Sequence, residues 1–520
     1  MTRGGSTVCI LGSGPAAVSA GWAMASAACR IILVDAASDV AQPPPVPAAT
    51  RGDTAAWPSF LGSDLRALAT SPGVSPKLRT IAAASTVADY LSANRIIGDG
   101  FTAVGALSAG GLSTVWGAVA PAFDRSDLSE CPIDLEALRP SYHRVAARIG
   151  LSGATSDDLS SFQGDGFALQ PPLPPSGNAR SVLDRYESRR ARIASAIGRP
   201  RLAVLSETLA DRQSCDLLGR CFWGCPRQSI YDSRHDLRGL MRSGHVERAD
   251  GRIATALRRD GGRWRVELTD RDGRPADAIE ADIVILAAGT LASTRLALDA
   301  AAVFDRPVPL TTNPAIAFAV WNQSRLGAAV DARTFGLAQL AMRVPLGESY
   351  AYGLLYEAAT MPLSDLIDAI PLSRSGARKL VRGLLSSLLV GLVYLPGSLS
   401  AHRARLERQS DGLSHLRIEG RFAETYDLQR QAVMRVLRRD FRRLGMLVLP
   451  GSERALAAGA DAHYAGTLAE REDASASRGI LGLPGLVAVD GSVLPGLPAK
   501  NPTFSIMANA DRIGRSLTIA

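Results

Sequence analysis

The sequence predicts an α/β fold, and three observations carry the prediction. Residues 7–35 read strand, glycine turn, helix, strand, acid. A related pattern of strand, small-residue turn and helix occupies 282–296, and a short apolar strand runs into an Asp-Gly turn at 487–491. The 520 residues are 46% hydrophobic and 21% charged, too apolar for a disordered chain. That length accommodates roughly two to four structural units.

The front of the chain is the strongest local pattern. Thr7 to Leu11 is a short β-rich run, followed by Gly12-Ser13-Gly14-Pro15-Ala16-Ala17 and an Ala-rich helical stretch to about residue 27. A second strand, Arg30 to Val34, ends at Asp35. In a dinucleotide-binding turn the first glycine permits the tight bend, the second lets a pyrophosphate approach the backbone, and a small third residue lets helix and strand pack closely. Gly12, Gly14 and Ala17 take those places, and the helix N-terminus offers unpaired N–H groups to phosphate. Asp35 lies 23 residues after Gly12, where a carboxylate accepts hydrogen bonds from ribose hydroxyls. These residues alone do not choose between FAD and NAD.

Charge and cysteine content narrow the setting. The net charge of +8 is spread along the chain, and only three of the 58 basic residues are Lys (Lys77, Lys379, Lys500), so nucleic acid is not an expected partner. The first apolar run is five residues long and ends in a glycine turn, unlike a secretory signal, and no run reaches the length of a membrane span. Six scattered cysteines do not make a disulfide framework, so a cytoplasmic, reducing setting is expected. Cys215-x5-Cys221-x3-Cys225-Pro226 resembles the end of a ferredoxin cluster run. Leu218 stands where a further cysteine is needed, and the stretch reads as a compact loop without a metal.

Two further stretches carry chemistry. His463-Tyr464-Ala465-Gly466-Thr467 precedes Val487-Ala488-Val489-Asp490-Gly491, and Lys500-Asn501-Pro502-Thr503 opens an apparent closing helix, with Asn501 as its cap. Gly110-Gly111-Leu112-Ser113-Thr114-Val115-Trp116-Gly117 is a glycine loop with a tryptophan, and Ala287-Ala288-Gly289-Thr290 closes the strand at 282–286.

Taken together, these four blocks resemble the glucose–methanol–choline (GMC) family of FAD-dependent oxidoreductases. The Gly-Gly loop is most similar to that of the pyranose-oxidase branch. The resemblance implies an FAD-binding, doubly wound Rossmann-like domain, discontinuous in sequence, beside an α+β substrate domain on a mainly antiparallel sheet. Residues 1–150, 246–300 and 456–520 are expected to form the first, and 151–245 and 301–455 the second. By the same resemblance, His463 and Asn501 are the catalytic pair. Gly12, Ser13, Gly14, Pro15, Ala16, Ala17, Asp35, Gly110, Gly111, Ser113, Trp116, Gly117, Ala288, Gly289, Asp490, Gly491, Pro502 and Thr503 contact FAD. Pyranose oxidases carry a flavin-linking histidine before the Trp; Val115 stands there, so FAD is expected to be non-covalent.

The implied activity is oxidation of an alcohol to a carbonyl by hydride transfer to flavin N5, with neutral His463 as base and Asn501 donating to the substrate oxygen. The loop points to a sugar or glycoside hydroxyl, with sterol-like or aliphatic alcohols as the alternative. Oxygen, a quinone or a protein is the electron acceptor. Two rival readings are non-alcohol flavin chemistry, against which the retained His463 and Asn501 argue, and a non-catalytic FAD-binding partner protein. Pro/Gly/Ser-rich stretches at 41–50 and 170–178 read as loops. Basic residues 374–382 before an apolar run at 384–395 admit a peripheral membrane contact, but a solvated helix followed by a buried strand is the favoured reading.

Overall fold

The computed structural model describes residues 6–27, 29–39, 76–79, 86–87, 89–129, 133–362, 367, 370–410, 412–469 and 479–519. The stretch at 41–50 and Cys131 lie outside them. Four short β-rich segments from distant parts of the chain, with Val246–Asp250, build a five-stranded parallel sheet. Its order is Leu486–Ala488, Ile283–Leu286, Thr7–Leu11, Arg30–Asp35, Val246–Asp250.

Period-two alternation decides what each face of this sheet meets. From Thr7–Leu11, Val8 and Ile10 pack with Ala16, Ala17, Ala20 and Met24 of the helix Pro15–Met24, and with Ala510 of the C-terminal helix Thr503–Ile519. Cys9 and Leu11 point the other way, to Trp264, Val266 and Leu296. On that second face lies a three-stranded antiparallel sheet, Ile253–Asp260, Arg263–Thr269 and Pro275–Ala281, with the helix Thr290–Ala300 beside it. The doubly wound expectation, a layer of crossover helices on both faces, is therefore corrected. The connection from Val246–Asp250 to Ile283–Leu286 folds back as a meander, and its apolar inner face covers the sheet instead.

A seven-stranded antiparallel sheet forms the other half of the molecule. Its order is Leu447–Val448, Ala315–Trp321, Leu388–Tyr394, Ser349–Glu357, Leu340–Leu346, Ala196–Gly198, with Arg454–Ala455 also paired to Ala315–Trp321. One face packs on the helices Gly177–Arg189 and Tyr426–Arg443 through Phe318, Leu355 and Val393 against Val182, Leu437 and Phe441. The other presents Tyr352, Leu354, Tyr356 and Tyr394 toward the half of the molecule that carries the Gly12–Ala17 turn.

The apolar run after the basic residues is the strand Leu388–Tyr394, between two neighbours in this sheet and preceded by the helix Arg374–Leu384. Residues 170–178 are only partly a loop, because Ser176 is buried and caps the helix Gly177–Arg189 through Ala179 N–H. No helix among the described residues is long and apolar enough to cross a membrane.

Candidate active site

The glycine turn is built as its sequence demands. Gly12 has φ of +111°, and a Cβ there would stand 2.4 Å from the Ala287 carbonyl oxygen. Only glycine fits so close to the neighbouring strand end. Gly14 is different: its backbone is extended, and a Cβ would meet no atom within 4 Å. The helix begins at Pro15 with no side chain capping its first turn, so N–H groups there remain available to a ligand. The Ser13 hydroxyl accepts from Gly110 N–H at 3.0 Å, binding this turn to the Gly-Gly loop.

One cavity of about 330 Å³ runs from this turn to the seven-stranded sheet. Every candidate residue lines it except Ala17 and Gly110. Ala17 is fully buried between helix and sheet, the packing role its small size predicts. Gly110 lies behind, contributing its N–H to Ser13. Ser113 braces the loop rather than offering a free hydroxyl. Its Oγ donates to Gly110 O at 2.6 Å and accepts from Ser233 N–H at 2.9 Å. The Trp116 indole is held by its Nε1–H donating to Tyr231 O at 2.7 Å. Val115 is buried against Leu78.

Two acids tie strand ends to their surroundings. Asp35 is paired with Arg248 at 2.9 Å, and its other oxygen accepts from Ala37 N–H. Burial pushes its carboxyl up, against the pull of Arg248. Asp490 accepts from Ser492 N–H and Oγ on one oxygen and from Ser293 Oγ at 2.5 Å on the other. That joins the turn after Leu486–Ala488 to the helix Thr290–Ala300.

His463 and Asn501 meet across the cavity wall. Asn501 Nδ2 lies 3.3 Å from His463 Nε2, and His463 Nδ1 lies 3.2 Å from Asn313 Oδ1. Tyr394 stacks obliquely on the imidazole at 5.1 Å between ring centroids. Burial pushes the His463 imidazole down from its ordinary value near 6.5 to about 4. The ring is neutral throughout the physiological range. Nor is Asn501 the cap of the last helix. That helix starts at Thr503 and its first bond runs from Ile506 N–H to Pro502 O, while the Asn501 side chain turns to His463. Its Oδ1 is buried without a hydrogen-bond partner, as is Ser108 Oγ, and both residues line the cavity.

Sequence reasoning missed several lining or supporting groups. Leu354, Tyr356 and Tyr394 come from the antiparallel sheet, and Asp461 from the loop before His463. Burial pushes the Asp461 carboxyl up to about 7. Lys500, fully buried, pairs with Asp124 at 2.9 Å and Asp127 at 2.7 Å, anchoring the segment that carries Asn501. Its position as one of three lysines, immediately before Asn501, was the one available signal. Cys215, Cys221 and Cys225 pack at the edge of the apolar core, and no metal-ligating cluster occurs among the described residues.

The chain shares its mixed α/β fold with two solved oxidoreductases. Pyridoxine 4-oxidase from Mesorbium loti superposes with a TM-score of 0.60 at 15% identity, over 98% of this chain and 98% of that one. An FAD-dependent oxidoreductase from Chaetomium thermophilum, solved with a bound thiophene–pyridine amide fragment, gives 0.59 at 12% identity over 98% and 99%. At such identities the likeness is one of fold. No family model and no curated protein matches the chain.

Proposed function

We propose that this protein is an FAD-dependent oxidoreductase of the GMC type that oxidises an alcohol to a carbonyl, with His463 as the base. The observation that carries the reading is the joining, in one cavity, of the Gly12–Ala16 turn with His463 and Asn501. The residues fit the cofactor. Gly14 keeps open the space a pyrophosphate needs, and the partnerless Asn501 Oδ1 and Ser108 Oγ are buried polar atoms facing the same cavity. The Gly12–Ala16 turn and Asp35 would hold the pyrophosphate and ribose, and Gly111–Gly117, Pro502 and Thr503 the ring. When bound, FAD supplies the two-electron acceptor. Val115 offers no nucleophile, so attachment is non-covalent.

The chain's own residues handle the proton and the geometry. A hydroxyl is too weak an acid to lose its proton unaided as the hydride departs, so His463 Nε2 accepts it. Asn501 Nδ2, beside that nitrogen, donates to the substrate oxygen and aims the carbinol carbon. Leu354, Tyr356, Tyr394 and Trp116 exclude water from the reacting side. The Leu354 side chain and the ring faces of Tyr356, Tyr394 and Trp116 favour an alcohol carried on a flat, weakly polar body over a free sugar, whose many hydroxyls would share the few polar groups of this wall. The sugar or glycoside hydroxyl suggested by the Gly-Gly loop is the second reading.

An anaerobic reduction screen of the FAD-loaded protein over aromatic alcohols, aliphatic alcohols and sugars tests this. Bleaching by alcohols, slowed about 10²–10⁴-fold in His463→Gln, is the expected result. A variant within about threefold of wild type overturns the base assignment, and bleaching by sugars alone overturns the substrate preference.

A further inference from the structure

Asn313 lies ahead of the strand Ala315–Trp321, 150 residues from His463 in sequence and fully buried. Its Nδ2 donates to Leu395 O at 3.1 Å and to Pro498 O at 2.7 Å. Carbonyl oxygens only accept, so these two contacts fix which end of the amide is nitrogen. The oxygen is left facing His463 Nδ1 at 3.2 Å. An amide oxygen also only accepts, so Nδ1 carries the imidazole proton, and in a neutral ring Nε2 then holds the lone pair. Asn501 Nδ2 supplies the matching donor at Nε2. The opposite tautomer would set two donors against each other at Nε2 and two lone pairs at Nδ1. The backbone reinforces the arrangement, because Asp461 Oδ2 accepts from both Asn313 N–H at 2.9 Å and His463 N–H at 3.3 Å.

We infer that Asn313 is a positioning residue that locks His463 in the Nδ1–H tautomer, so that Nε2 faces the cavity unprotonated. The inference rests on the reading of His463 as base, and its role there is to keep the accepting nitrogen unprotonated, so that a substrate hydroxyl need only displace the Asn501 N–H from it. Asp461 of its own loop, which accepts from the His463 backbone N–H, and Tyr394 of the sheet, which packs on the ring, are titratable groups against His463.

The test uses FAD-loaded protein carrying ¹⁵N-labelled histidine. Six histidines keep the spectrum simple, and His463→Gln identifies the His463 signals. At neutral pH, Nδ1 is expected to show the protonated and Nε2 the unprotonated signature. Asn313→Leu should mix or reverse them and lower kcat by about tenfold or more with KM within about threefold, as expected when an interaction made in the transition state is lost. Asn313→Asp restores an acceptor, and its charge should raise the pH of the acid limb of the kcat/KM profile. That shift decides the matter if Asn313→Leu does not fold. A wild-type spectrum with the proton on Nε2 overturns the inference, as do variants that leave the tautomer and profile unchanged. Full activity in His463→Gln would instead remove the base reading and leave the tautomer result to stand on its own.

Discussion

Asn501 Nδ2 and His463 Nε2 face one another at 3.3 Å, although 38 residues separate them in the chain. Asn501 Nδ2 donates to the Nε2 lone pair, so under the proposed function an alcohol oxygen entering between them would take over the donor while its proton turns to Nε2. Asn501→Leu keeps the volume and removes the donor. Anaerobic reduction by the best alcohol should slow about 10²–10³-fold, the loss seen when a transition-state donor is deleted. A rate within about threefold of wild type would show that the amide does not touch the reacting oxygen.

Gly12 and Gly14 should respond oppositely to substitution. Gly12→Ala places a Cβ against the Ala287 carbonyl in a left-handed conformation, and should cost about 2–4 kcal/mol in denaturant unfolding. Gly14→Val places its Cβ where no protein atom lies within 4 Å and suits the extended backbone, so the apo-protein should unfold about as wild type does. Its side chain would occupy the pyrophosphate's approach and weaken FAD binding by about tenfold or more. Equal FAD affinity in Gly14→Val, measured by flavin fluorescence quenching, would contradict the placement of the cofactor.

Lys500 is a buried cation held by two carboxylates. Lys500→Met should destabilise the protein by about 3–5 kcal/mol, because Asp124 and Asp127 are left together without their counter-charge. Adding Asp124→Asn and Asp127→Asn should recover most of the loss. Chemical denaturation of the single and triple variants distinguishes this from a loss caused merely by the missing side-chain volume.

Stability should depend on pH through His463 with a definite sign. Its folded-state value is near 4 against 6.5 when unfolded, so between those values the unfolded chain binds a proton that the folded chain does not. Unfolding free energy therefore falls as pH falls from 6.5 to 4. Asp461 acts the other way. Held near 7 instead of 3.8, it is protonated when folded, and its contribution is lost as pH rises through that window. His463→Gln should lose less stability on acidification than wild type, and Asp461→Asn more. Parallel curves for all three proteins would show that neither group titrates as buried.

The parts of the site readable in advance were those written in consecutive residues. The Gly12–Ala17 turn and the Gly110–Gly117 loop hold glycines at positive φ, and a Cβ on Gly491 would stand 2.3 Å from the Tyr464 carbonyl oxygen, so the residue types announce them. Asn313, Tyr356, Tyr394 and Asp461 carry no such mark. Tyr356 and Tyr394 sit in strands whose alternation would look the same facing any core, and Asn313 is joined to His463 only through folding. The cover of the parallel sheet misled for a similar reason. Residues 253–281 show only short amphipathic strands, and their packing on Cys9, Leu11 and Val284 is a long-range choice.

Local residue order was enough to specify a glycine turn between strand and helix, an acid at the end of the next strand, and one imidazole and one carboxamide as candidates, because steric limits on glycine and the spacing of short strands act over a few residues. What faces each nitrogen of that imidazole, how burial lowers its basicity, and which side chains wall the cavity were decided only when distant segments packed. Those properties belong to the surroundings of a group, namely the Asn313 amide, the aromatic face of the seven-stranded sheet and the exclusion of water between them.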